Sequence, residues 1–244
     1  RAHIGKNVEI GPFCIVEDNV IIGDETNIRS HVIIKSGTSI GQNCDIYSGA
    51  ILGEQPQDLK YNNENTTLEI GDNNIIREYC TLHRGTTDRK KTKIGNNCML
   101  MAYSHVAHDT IINNNVILSN SVQVGGHVDI EDNVIVGGST PIHQFCRLGE
   151  YSFIGGGYRI VQDIPPYIKA MREPLKYAGI NSVGLSRNNF DNEIISCIKK
   201  AYRIIYRSGY NFSQALEKIK DSLPINKEIK NIINFIENSS RGII

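Results

Sequence analysis

The sequence predicts a mainly β protein, a solenoid of short strands broken by tight corners and followed by a small α-helical C-terminal domain. Three observations carry this reading. From Ile4 to Ile160 an aliphatic residue recurs at every sixth position and fills 24 of 27 slots. The two polar stretches that interrupt the series preserve its phase. Beyond Pro165 and Pro166 the apolar spacing changes to that of helices. A six-residue period fits neither the turn of an α-helix nor the alternation of a long strand. It fits coils in which each large aliphatic side chain points inward and stacks on its equivalent in the next coil.

The first run reads Ile4, Ile10, Val16, Ile22, Ile28, Ile34, Ile40, Ile46 and Leu52. A smaller residue follows four places later in each unit, as in Val8, Cys14, Val20 and Thr26, and glycine often follows the aliphatic slot directly, as in Ile10-Gly11 and Ile22-Gly23. The chain opens at Arg1 in mid-pattern, so a short N-terminal piece is expected to precede it. Only Asp58, Glu64 and Asp88 break the series. They mark two loops thrown out from the solenoid, at about 53–69 (EQPQDLKYNNENTT) and about 83–93 (TTDRKKT). Insertions of this length in a compact array are more often functional than neutral. The solenoid is expected over residues 1–164, and residues 165–244 are expected to be helical. The main helix is an apolar stripe from Ile194 to Tyr206 opening after Asp191 as N-cap. Two shorter helices are expected near 213–223 and 226–237, and together these helices cover an open solenoid end.

Composition excludes several classes. The chain has 26 basic and 26 acidic side chains and a pI near 7.2. Neither a general nucleic-acid binder nor a polybasic membrane-surface protein fits that balance. No apolar run approaches a membrane span and no signal segment opens the chain, so a cytoplasmic protein is expected. Six cysteines without CxxC pairing are read as reduced core residues.

Tandem [Ile/Leu/Val]-Gly-x-x-small-x units resemble the hexapeptide-repeat transferases. That resemblance implies a left-handed parallel β-helix with three sides and 18 residues to a coil. Within that group the strings GPFCIV, QDLKY, IREYCTLHRGT, HVAHD, GGHV, IHQFC, QDIPPY and YRSG are similar, in order and spacing, to the UDP-N-acetylglucosamine O-acyltransferase family of lipid A synthesis. The resemblance covers essentially the whole chain. It implies a homotrimer that moves a 3-hydroxyacyl chain from acyl carrier protein to the 3-hydroxyl of UDP-N-acetylglucosamine, with no cofactor beyond the carrier thioester.

With 18 residues to a coil, His108, Gly126 and Gln144 share a column, Asp109 lies in line with His127, and His143 flanks Gln144. Acyl transfer to a hydroxyl needs a base near neutrality and donors for the developing oxyanion. By resemblance His108 is the base, Asp109 its neighbouring acid and Gly126 the oxyanion donor, the Gly125-Gly126 pair allowing close approach. His105, His127, His143 and Gln144 are candidate substrate contacts. His3 and His31 are read as solvated. The resemblance also implies that the first loop reaches a neighbouring subunit, where Gln57 and Asp58 meet the sugar and Lys60 offsets phosphate charge. It further places Asn181 and Arg187 on the nucleotide, with Asn188 where the family has a second arginine. Gly156 matches an acyl-chain ruler, and three successive glycines predict a long chain, on the order of 14 carbons or more, at about 0.8 kcal/mol per buried methylene. The basic residues Lys199, Lys200, Arg203 and Arg207, with Arg89, Lys90 and Lys91, are either a solvated face or a receptor for acyl carrier protein.

Some hexapeptide-repeat proteins bind zinc through three histidines, but their ligand spacing is absent, and His105 and His108, read as one strand, point to opposite faces. No metal is therefore expected. The sister N-acyltransferase and acetyl-CoA-dependent sugar acetyltransferases remain close alternatives, although Asp58 favours a hydroxyl acceptor. A scaffolding solenoid predicts neither clustered histidines nor phase-preserving loops.

Overall fold

The computed structural model describes residues 1–244. Three sheets of eight, ten and seven strands form the sides of a prism, and as far as Phe153–Ile154 the strands pair in parallel with those three places along the chain. The first sheet begins at His3–Ile4, the second at Glu9–Ile10 and the third at Ile15–Val16. One column of the second sheet reads Ile10, Ile28, Ile46, Ile76, Leu100, Leu118, Val136 and Ile154 in register. From the third coil onward these slots are fully buried, which is the inward stacking that the period demands. Ile4 and Ile10 in the first coil are 46% and 44% exposed.

Each corner turns through one residue at positive φ. Asparagine fills many of these places, from Asn7 to Asn133, at φ between 54° and 60°. Asparagine tolerates the left-handed region better than other residues with a Cβ. The pairing step is 18 residues except from Ile46 to Ile76 and from Ile76 to Leu100, where the loops are inserted. Strand pairing narrows both loops relative to the sequence reading. Thr67–Ile70 and Lys91–Ile94 pair over their whole length, leaving 55–66 and 84–90 outside strands. Both loops leave the third sheet and return to the first, so they emerge at one edge of the prism. We call this edge the third corner; the first corner joins the first sheet to the second, and the second corner joins the second to the third.

The expectation that 165–244 is wholly helical is corrected. Ile168–Met171 pairs parallel with Phe153–Ile154, and Lys176–Ile180 pairs antiparallel with Ile168–Met171, so the β region runs to Ile180. Four helices follow: α1 (Ser182–Arg187), α2 (Asn192–Arg207), α3 (Phe212–Ser222) and α4 (Lys227–Glu237). Cys197, Ile198, Ala201, Tyr202 and Ile205 of α2 are buried, as are Ile229, Ile232, Ile233, Phe235 and Ile236 of α4. The Tyr202 hydroxyl donates to the Pro166 carbonyl at 2.6 Å, tying α2 to the end of the solenoid. All six cysteines are free, five of them buried. No helix is long and apolar enough to cross a membrane.

Candidate active site

His108 and Asp109 occupy the third corner, between the strands His105–Val106 and Ile111–Ile112. Asp109 is the left-handed residue of that turn, at φ 58°, and its side chain is fully buried. His108 Nδ1 lies 2.8 Å from Asp109 Oδ2. The carboxylate also accepts the Thr86 amide at 3.0 Å, the Thr86 hydroxyl at 2.7 Å and the Arg89 amide at 3.1 Å. Burial alone pushes the Asp109 pKa up. The hydrogen bonds from Thr86, His108 and Arg89 outweigh it and hold the carboxyl below its usual range. An ionised carboxylate only accepts, so the proton of a neutral His108 sits on Nδ1 and Nε2 keeps its lone pair.

The next coil supplies the other half of the site. A Cβ on Gly126 would meet His108 Cε1 at 2.8 Å and Nε2 at 3.0 Å, so the imidazole lies on the space that glycine leaves open. Of the Gly125-Gly126 pair only the second amide is free: Gly125 N–H donates to the Ile142 carbonyl at 2.9 Å, whereas Gly126 N–H has no acceptor in the chain. A base and an unspent N–H donor thus stand side by side, as addition to a carbonyl requires.

His127 crosses His108 edge-to-face at 5.1 Å and stacks on Phe145 at 4.6 Å. Its Nε2 is 3.8 Å from Asp109 Oδ2. Its Nδ1 lies 3.1 Å from Asp88 Oδ2 without hydrogen-bond alignment. His105 lies on the strand that leads into the corner, with Nδ1 2.8 Å from the Thr81 hydroxyl, and packs edge-to-face on His83 at 4.7 Å. Burial lowers the pKa of both rings, that of His83 to about 4. His143 and Gln144 are exposed one coil beyond Gly126. The placement of His105 and His108 on one strand is corrected, since His108 belongs to the corner. His108, Asp109 and His127 offer donor atoms within 4.8 Å of one another, close enough for a metal ion. Both Asp109 oxygens are nevertheless taken up by N–H and O–H donors, which leaves that set poorly suited to ligation.

Asp58 and Lys60 line a cavity of 290 Å³ with Tyr61, Glu64, Thr86, Asp88, His127 and Phe145. This loop leaves from the same corner as His108, so it reaches the histidine column within its own chain. Gln57 is exposed beside it. Asn181 is buried and committed internally, donating to the Tyr151 carbonyl at 2.9 Å and accepting the Gly184 amide at 3.2 Å as the cap of α1. Arg187 is exposed in the last turn of α1, and Asn188 caps that helix through the Gly184 carbonyl at 2.9 Å. Tyr151 belongs to the first corner, so within one chain this group does not join the His108 column. Gly156 lies in the second corner, between Phe153–Ile154 and Ile160. The wall there is not bare, because Tyr158 and Met171 cover Gly155. Nor does Gly156 need a positive φ; in that run only Gly157 has one, at 77°. Arg89 of the second loop pairs with Asp129, and Lys91, the first residue of the strand that follows, pairs with Glu69. His83, Thr86, Arg89 and Phe145 are site residues that spacing alone did not single out. The proximity of Thr86 to the HRG string was the available signal.

A three-sided solenoid with a carboxylate-oriented imidazole at one corner defines a transferase of the hexapeptide-repeat class. The bacterial transferase hexapeptide model matches residues 1–36 and 91–126, and the model for UDP-N-acetylglucosamine O-acyltransferase, domain 2, matches 163–244. The acyl-[acyl-carrier-protein]--UDP-N-acetylglucosamine O-acyltransferase of Halorhodospira halophila is 43% identical over 100% of this chain and 95% of its own length. The crystal structure of a UDP-N-acetylglucosamine acyltransferase from Bacteroides fragilis superimposes with a TM-score of 0.98 at 51% identity, covering 100% of this chain and 95% of that one. One from Acinetobacter baumannii gives 0.96 at 45%, with the same coverage. The chain belongs to the UDP-N-acetylglucosamine O-acyltransferase family. It is an acyltransferase, and its solenoid is the left-handed parallel β-helix.

Proposed function

We propose that the chain transfers a 3-hydroxyacyl group from acyl carrier protein to the 3-hydroxyl of UDP-N-acetylglucosamine, the first step of lipid A biosynthesis, with His108 as general base. The carrying observation is the His108 imidazole, bonded to a buried carboxylate through Nδ1 and lying against Gly126 through Nε2. His108 Nε2 takes the proton of the sugar hydroxyl as its oxygen attacks the thioester carbonyl. Asp109 stabilises the imidazolium, and the Gly126 N–H receives the developing oxyanion. Collapse breaks the carbon–sulfur bond, and the imidazolium returns its proton to the leaving thiolate. No metal or other cofactor enters this sequence.

Asp58 and Lys60 line the cavity beside His127, and in this reading they hold the sugar and offset phosphate charge. His105, His143, Gln144 and Gln57 line the approach, and Arg187 serves the diphosphate. Lys199, Arg203 and Arg207 line a 480 Å³ cavity with Tyr177, Gly179 and Ile180 and no acidic residue, which suits the acidic helix of a carrier protein. The working form is a cytoplasmic homotrimer.

Incubation with UDP-N-acetylglucosamine and 3-hydroxyacyl carrier protein should yield the 3-O-ester by mass. His108→Ala should lower turnover by about 10²- to 10⁴-fold, as for a lost general base. Formation of an amide product from a 3-amino sugar alone, or transfer from acetyl-CoA alone, would replace this reading by one of its rivals.

A further inference from the structure

Asp109 is a fully buried carboxylate, and apart from His108 every group that donates to it comes from the second loop. Thr86 is itself buried and gives both its amide and its hydroxyl. Arg89 gives its amide, and its guanidinium bridges the Asp109 carbonyl at 3.0 Å and the Asp129 carboxylate at 3.1 Å. That bridge pins the far side of the loop to the next coil. The second loop therefore wraps the carboxylate rather than projecting into solvent.

We propose that Thr86, held by the Arg89–Asp129 pair, is a positioning residue for acyl transfer: its hydroxyl and amide fix the orientation of Asp109, and through Asp109 the tautomer and aim of His108. This deepens the reaction proposed above and rests on it. With two oxygens and four donors, the carboxylate has one oxygen for the Thr86 and Arg89 amides and the other shared by the Thr86 hydroxyl and His108. Removing the hydroxyl frees Oδ2 to rotate and leaves a buried charge short of a donor. A protonated Asp109 would donate to His108 Nδ1 instead of accepting from it, which moves the imidazole proton to Nε2 and removes the base. The charged or titratable groups around Asp109 are His108, His127 at 3.8 Å, the Arg89 guanidinium with its partner Asp129, and Asp88 beyond His127. Of these, only Arg89 carries a fixed positive charge, and it lies on the backbone carbonyl of Asp109 rather than on the carboxylate.

Thr86→Val keeps the side-chain volume and the amide donor but deletes the hydroxyl. It should lower kcat about tenfold or more, the size of a lost hydrogen bond to a charged group. The acid limb of its pH–rate profile should move to higher pH, and Thr86→Ser should restore both. In an Asp109→Asn background the same change should cost almost nothing, because Thr86 acts through that carboxylate. Nitrogen-15 shifts of the His108 ring should report the Nδ1–H tautomer in the wild type and a growing Nε2–H fraction in Thr86→Val. This last readout needs no turnover, so it separates the failure of Thr86 as a positioning residue from the failure of the proposed reaction. Wild-type kcat and tautomer in Thr86→Val, or a full additive loss in the Asp109→Asn background, would overturn the assignment.

Discussion

At Gly126 the absence of one methyl group decides the geometry of the site. The preceding coil places the His108 ring where a Cβ would stand, 2.8 Å from Cε1, so Gly126→Ala has to push the imidazole aside. The fold has no other reason to suffer, since the backbone at 126 is not in the left-handed region. Turnover should fall by about 10²-fold, as for a base displaced by an ångström, with little change in Tm. A fully active Gly126→Ala enzyme would show that the ring moves without consequence. His83 carries a different kind of constraint. It is buried with an unpartnered Nδ1, and burial depresses its pKa from 6.5 to about 4. Between those values the unfolded chain binds a proton that the folded chain refuses, so this residue's share of stability is intact above pH 6.5 and lost as pH falls towards 4. His83→Gln should flatten the dependence of Tm on pH in that window; an unchanged slope would assign the acid sensitivity to other groups.

The elements separate into those that a local pattern specifies and those that a distant partner specifies. The column from Ile10 to Ile154 was legible because every coil repeats the same requirement, and α2 because its apolar stripe follows one helix face. The loops were legible as interruptions, and their shared exit at the third corner follows from the repeat once three sheets are known. The pairing of Ile168–Met171 with Phe153–Ile154 was not legible, because IKAM carries neither the six-residue period nor clean alternation and its partner lies in the preceding coil. The same holds for Thr86. Two of the three bonds that the second loop gives to the Asp109 carboxylate come from backbone amides, which no side-chain pattern encodes. Gly156 shows how an element tests a residue-level reading. Its Cβ would meet the Gly138 carbonyl oxygen at 2.9 Å, yet Ala102 and Asn120 occupy the same column in earlier coils, so side chains are tolerated there. Gly156→Met should therefore fold and shift selectivity towards shorter acyl donors. An unaltered chain-length profile would place the ruler elsewhere, with Tyr158 and Met171, which cover Gly155, as the side chains to test next.

On the scale of the whole molecule, the proposed functional residues are divided among the edges of the prism. His108, Gly126 and the two loops stand at the third corner, Gly156 at the second, and Asn181 binds Tyr151 at the first. One rigid prism cannot fold its edges together, whereas closed threefold packing brings different edges of neighbouring copies face to face. A trimer would thus have a chemical purpose even though Asp58 reaches the His127 cavity within its own chain. If His108 of one subunit works with Arg187 of the next, two inactive variants should complement each other. Co-expressed in equal amounts, His108→Ala and Arg187→Ala subunits should form mixed trimers in which about a third of the interfaces join an intact His108 to an intact Arg187. Activity of mixed trimers isolated on two different tags should recover to that fraction of wild type, while each homotrimer stays low. Mixed trimers no more active than the homotrimers, or a sedimentation experiment showing a fully active monomer, would place each complete site within one chain.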